Sequence, residues 1–160
     1  MWIGRSSRTI LTACIVLAAA ACTSSVDLKQ NVQVTDVSTG WFDAGVVDGK
    51  NKLVPSVSFK LRRPANVKLS SVSLNLFFKK LDGTQHDDVF VHRVEFNENG
   101  ETNLIPVRSQ TGYTGDPPQS RADMLKHKDF QDMDVEIFAR QSSAWVPLHK
   151  VRIERNLLTN

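Results

Sequence analysis

The sequence predicts an all-β fold, an antiparallel two-layer sandwich of about seven strands, and three observations predict it. Apolar residues recur at every second position in several separate stretches, the pattern of strands with one buried face. Turn chemistry separates those stretches at short intervals, at Arg63-Pro64-Ala65-Asn66, Asp82-Gly83, Asn99-Gly100 and Gln141-Ser142-Ser143. Only one short run, after Ser120, is compatible with a helix. Strands joined by short turns pack as two antiparallel sheets rather than as a parallel α/β sheet.

Before the first strand comes an export signal. Arg5 and Arg8 precede an uncharged run from Thr9 to Ala21 that ends at Cys22. A positive start, an apolar core of about a dozen residues and small residues before the cut make a secretory signal, and that core is too short to span a bilayer. Leu17-Ala18-Ala19-Ala20-Ala21-Cys22 resembles a bacterial lipobox, which implies that the Cys22 thiol carries a lipid and becomes the mature N-terminus. Ala19 stands where lipoboxes favour leucine. Thr23 follows the cysteine, and by resemblance to Gram-negative lipoproteins a residue other than aspartate there implies delivery to the outer membrane.

The expected organisation is a signal peptide over 1–21, a lipidated cysteine and polar tether over 22–30, and one sandwich domain over 31–160. A cut before Cys22 leaves 139 of the 160 residues, enough for one domain with one core. Without Arg5 and Arg8 the chain keeps 18 Lys and Arg against 17 Asp and Glu, interspersed. Such a balance lacks the broad positive field that nucleic acid requires. The two cysteines are Cys14 and Cys22. With Cys22 acylated, the mature domain has no disulfide, thiolate metal site or cysteine nucleophile, and stability rests on the core. A tether from Thr23 to Gln30 reaches less than ~30 Å when stretched, which keeps the domain near the membrane.

Taken in order, the strands begin at Val32 and Val34. Val57, Phe59 and Leu61 form one apolar face, and Val72, Leu74, Leu76 and Phe78 form another, with Arg63 to Asn66 as the loop between. Asp82-Gly83 makes a tight turn into a strand carrying Val89 and Val91. Asn99-Gly100 turns the chain again into a short strand over Thr102 to Val107. The interruption from Ser109 to Asp129 contains Ser120 and Asp123 at capping-box spacing, with Met124 and Leu125 placed to pack inward over one or two helical turns. Val135, Ile137 and Ala139 then pair with Trp145 to Ile153 as a closing hairpin. Val57, Phe59, Leu61, Leu74, Leu76, Val135 and Ile137 are expected to share one core.

The strand count, the long crossover before the last two strands and the lipobox resemble the small immunoglobulin-like or fibronectin-III-like lipoproteins of Gram-negative bacteria. The segment from Gly40-Trp41-Phe42-Asp43-Ala44-Gly45 to Val57-Ser58-Phe59, with the later Gly112-Tyr113-Thr114-Gly115, is also similar to an uncharacterised lipoprotein group. That likeness covers most of the mature chain. It implies a fold and an address, and brings no activity or site residues.

Chemistry is sparse. His86 stands beside Asp87 and Asp88, while His92, His127 and His149 lie apart, with no H-x-H or H-x-x-x-H pair to hold a metal. No G-x-S-x-G elbow, S-x-x-K pair, P-loop or dinucleotide fingerprint is present, so neither catalysis nor a cofactor is expected. Arg62, Arg63, Lys79 and Lys80 read as outer-face charges with at most weak attraction to anionic lipid. Trp41 and Phe42 fall in a stretch broken by Asp43, Gly45, Asp48 and Gly49, and Tyr113 is bracketed by glycines. Both stretches read as loops, whose aromatics either plug the sandwich or anchor a partner. The expectation is a non-catalytic, membrane-anchored module that binds an envelope protein through Trp41, Phe42 and Tyr113. Its alternative is a periplasmic small-ligand or metal-binding protein or, failing that, a hydrolase.

Overall fold

Residues 26–117 and 119–158 are described by the computed structural model. The segment expected to be a signal peptide and the expected lipidated Cys22 lie outside the described residues. The elements are α1 (Leu28–Asn31), β1 (Gln33–Val47), β2 (Lys50–Arg62), β3 (Ser71–Lys80), β4 (Gln85–Glu95), β5 (Ile105–Arg108), β6 (Tyr113–Gly115), α2 (Arg121–Lys126), β7 (Met133–Arg140), β8 (Val146–Arg152) and β9 (Leu157–Leu158).

They form two sheets. One runs β5-β2-β1-β9, with β6 also paired to β2, and the other runs β4-β3-β7-β8. Every pairing is antiparallel except that of β9 with β1. The β1–β2 hairpin crosses to β3–β4, returns to β2 through β5, and crosses again to β7–β8. Three main strands thus face four in the order of an immunoglobulin-like sandwich. The predicted seven strands correspond to β1, β2, β3, β4, β5, β7 and β8, with the short β6 and β9 added.

The expected core residues meet between the sheets. Val57, Phe59, Leu61, Leu74, Leu76, Val135 and Ile137 are each at most 1% exposed. On β3 the alternation is complete, with Val72, Leu74, Leu76 and Phe78 buried and their neighbours half-exposed. A single slip of register would reverse those faces.

Two boundaries differ from expectation. Folded structure begins before residue 31, because Asp27 caps α1 through its Oδ1, which accepts from the amides of Lys29 and Gln30, and Leu28 is 3% exposed inside the core. The Trp41–Lys50 stretch is also no loop. Strand β1 continues through it to Val47, and its polar interruptions are bulges, one near Asp36 (φ 52°) and one near Gly45 (φ 79°). A bulge absorbs an extra residue and lets pairing resume beyond it. The predicted helix does form: the Ser120 hydroxyl accepts from the Asp123 amide at 3.1 Å, and Met124 and Leu125 are buried.

Register defines two ends. Gln33 pairs with Arg62 and Ser73 with Arg140, while the Val26 amide donates to Gln141 Oε1, so the chain enters at the end holding the β2–β3 and β7–β8 loops. At the far end lie the β1–β2 and β3–β4 turns and the crossover of residues 109–132. At ~3.3 Å per residue, the 13 residues of β2 set the ends roughly 40 Å apart.

Candidate functional site

Strand geometry divides the three predicted contact residues. Successive side chains on a strand point to opposite faces, so Trp41 turns into the sandwich and Phe42 turns out. Trp41 is 1% exposed and packs edge to face against Phe130. It is a core residue, which corrects its expected role as an exposed loop anchor. Phe42 lies half-buried beneath the Arg108 guanidinium, 3.4 Å from the ring centroid. Tyr113 sits on β6 rather than in a loop, packs on Phe130 at 5.0 Å, and places its hydroxyl 3.1 Å from His127 Nδ1. Trp41 and Tyr113 therefore meet around Phe130, and Phe42 belongs to the opposite face.

Both inward residues line a far-end cleft of about 270 Å³, together with Lys80, His86, Gln131 and Met133. Two ring nitrogens near it, Trp41 Nε1 and His86 Nε2, are buried without a hydrogen-bond partner among the described residues. The neighbouring Asp87 ties β4 to the crossover beside His86. Its Oδ2 accepts from the Ser109 hydroxyl and the Gln110 amide, each at 2.7 Å, and Oδ1 accepts from the Asp88 amide. Partial burial alone would raise its pKa, but these hydrogen bonds outweigh burial and hold the carboxyl below its ordinary range. Gly112 closes one side of the cleft, since a Cβ there would run into the backbone oxygen of Leu53.

A larger hollow of about 520 Å³ lies between α2 and the segment before β9. Its Arg155 is already engaged by Asp132 at 2.6 Å and by the carbonyls of Leu125 and Phe130. Among the described residues, no three His, Cys, Asp or Glu side chains gather as a metal site.

The outer face of the β4-β3-β7-β8 sheet carries a second feature, which sequence reasoning missed. Toward the far end it is a ladder of ion pairs: Lys79 to Glu136 at 2.5 Å, Lys150 to Glu136 at 3.1 Å and Arg152 to Asp134 at 2.5 Å. Toward the N-terminal end it is aromatic. Phe77 and Phe138 meet edge to face at 5.4 Å, and Trp145 reaches across the sheet to Phe90 at 5.7 Å, with the Arg140 guanidinium 4.6 Å from the Trp145 ring. His92 packs on Phe90 at 4.2 Å. Asn75, paired with Phe90 on one side and Phe138 on the other, has a buried Oδ1 without a donor. The available signal was the doublet Phe77-Phe78, which puts one aromatic on each face.

No protein-family model, curated protein or solved structure matches this chain.

Proposed function

We propose that the protein is a lipid-anchored, non-catalytic module of the bacterial cell envelope, held through Cys22, that binds another envelope protein with the aromatic half of its β4-β3-β7-β8 sheet. The observation that carries this reading is the Phe90–Trp145–Arg140 cluster around the unpartnered Asn75 oxygen. Aromatic residues and arginine dominate the energetic centres of protein interfaces. A buried acceptor without a donor gains most when a partner supplies one. Lys79, Lys150, Arg152, Glu136 and Asp134 on that face pair with one another, which sets the aromatic half apart.

The sheet edges favour face-on binding over strand addition. Edge strand β4 is kinked by bulges and by Arg93 at φ 44°, and edge strand β8 carries Pro147 beside a bulge. Both devices blunt an edge against pairing. The anchor supports a partner near the membrane. Only residues 23–25 separate Cys22 from Val26, a reach of at most ~14 Å, and Val26 enters at the aromatic end of the sheet. The residue after the cysteine, Thr23, supports an outer-membrane address.

The test combines crosslinking in intact cells with two variants. Trp145→Ala and Phe90→Asp are expected to fold normally and lose a crosslinked envelope protein, and Cys22→Ser is expected to leave the membrane fraction. Retention of the same crosslink by both aromatic variants would sink the interface. Cys22→Ser protein that still sediments with membranes like wild type would sink the anchor.

A further inference from the structure

We propose that the far-end cleft binds a small carboxylate with an apolar body, a site independent of the aromatic face. Trp41 is 99% buried, lines the cleft, and has an Nε1–H without a partner. An indole N–H only donates, so whatever completes it must accept. His86 Nε2 stands unpartnered beside the same cleft and can donate when it carries the proton. Lys80, at the end of β3, adds a cation with no ion pair among the described residues. Two ring N–H donors and an ammonium select an acceptor with negative charge, because charge-assisted hydrogen bonds are the stronger ones.

The rest of the lining sets the body of the ligand. Tyr113 spends its hydroxyl on His127 and presents its ring, and Met133 adds a thioether. Apolar walls with a few convergent polar groups are the usual make-up of small-molecule sites, and about 270 Å³, just below their usual range, suits a small ligand. Asp129 also lines the cleft, but its carboxylate is 71% exposed and 3.8 Å from His127 Nδ1, so solvent screens its repulsion. A bound carboxylate supplies the acceptor that these donors lack and gains the apolar walls.

The indole N–H signal of Trp41 in ¹⁵N–¹H spectra of the full chain reads the site directly, with that of Trp145 as internal control. Butyrate should move the Trp41 signal downfield and saturably, acetate should do so more weakly, and butylamine should not. Lys80→Met, which removes charge from a partly exposed side chain, should raise the butyrate dissociation constant about tenfold or more. No saturable movement at about 10 mM butyrate, which fills even a ~1 mM site, would overturn the proposal. An equal response to butylamine, or undiminished binding by Lys80→Met, would overturn it too. If inorganic phosphate binds as well as butyrate, the apolar body is wrong.

Discussion

Trp41 and Phe130 meet with ring centroids 4.5 Å apart and planes inclined at 68°, joining the first long strand to the segment that leads into β7. Tyr113 approaches the same Phe130 ring at 5.0 Å, and the Arg155 guanidinium lies 5.1 Å from it. Phe130 is the common neighbour of groups from three parts of the chain. An edge-to-face pair contributes ~0.5–1.5 kcal/mol beyond the area it buries. Trp41→Ala and Phe130→Ala should each cost about 3–5 kcal/mol. The double variant should cost less than the two losses added, because both remove one contact. Additive losses in chemical denaturation would show that the rings do not support each other.

Leu74 lies at the centre of β3, fully buried, with Val91 opposite on β4 and Ala139 opposite on β7. Leu74→Ala should cost about 2–5 kcal/mol through lost transfer energy and the cavity left behind. Asn75→Ala, one residue along and on the outer face, removes an acceptor that has no donor and should cost far less. Equal losses at the two positions would contradict the register.

Asp87 gives the protein a specific acid sensitivity. Its folded pKa is below the ordinary value of 3.8, so the unfolded chain takes up the proton more readily. The stability it contributes is fully present above that ordinary value and is lost as pH falls through the lower folded value. Asp87→Asn should lose about 1–2 kcal/mol at neutral pH and show a shallower decline in melting temperature below about pH 4. A variant with wild-type acid dependence would remove Asp87 from the account. Asp132, through Arg155, and Glu136, through Lys79 and Lys150, are shifted the same way and preserve part of the slope.

At Gly112 there is no space for a side chain beside Leu53 and Val54. Gly112→Ala should force β6 away from β2 and cost about 1–3 kcal/mol, as overpacking does. Amide hydrogen exchange should report the loss first at Tyr113–Gly115, before the central strands open. Unchanged protection there would mean that the strand tolerates the methyl group.

Legibility in the sequence followed how local each signal was. Strands β2, β3 and β7 carry their own alternation, so their buried faces could be named from neighbours two residues away. Strand β1 could not be read this way, because Asp36 and Gly45 sit where bulges reset the alternation, and an interrupted strand looks like a loop. Trp41 and Tyr113 could be singled out as unusual, but their burial depends on Phe130, which lies far along the chain. The cleft was not visible, since Lys80 and His86 flank the β3–β4 turn while Trp41, Tyr113 and Gln131 come from distant parts of the chain. Phe77, Phe90, Phe138 and Trp145 are likewise scattered in sequence. Only the order β4-β3-β7-β8 gathers them on one face.

The parallel pairing of β9 with β1 has a consequence for the timing of assembly. The Trp41 amide donates to the Asn156 carbonyl at 2.8 Å, and the Thr39 hydroxyl donates to the Arg152 carbonyl and accepts from the Glu154 amide. These bonds close loops of more than a hundred residues, among the slowest contacts to form. A nascent chain emerges N-terminus first, so β1 is made early yet keeps one bare edge until β9 follows. A chain arrested before Asn156 would expose that edge to other strands, and the sheet is complete only when β1 and β9 are present together.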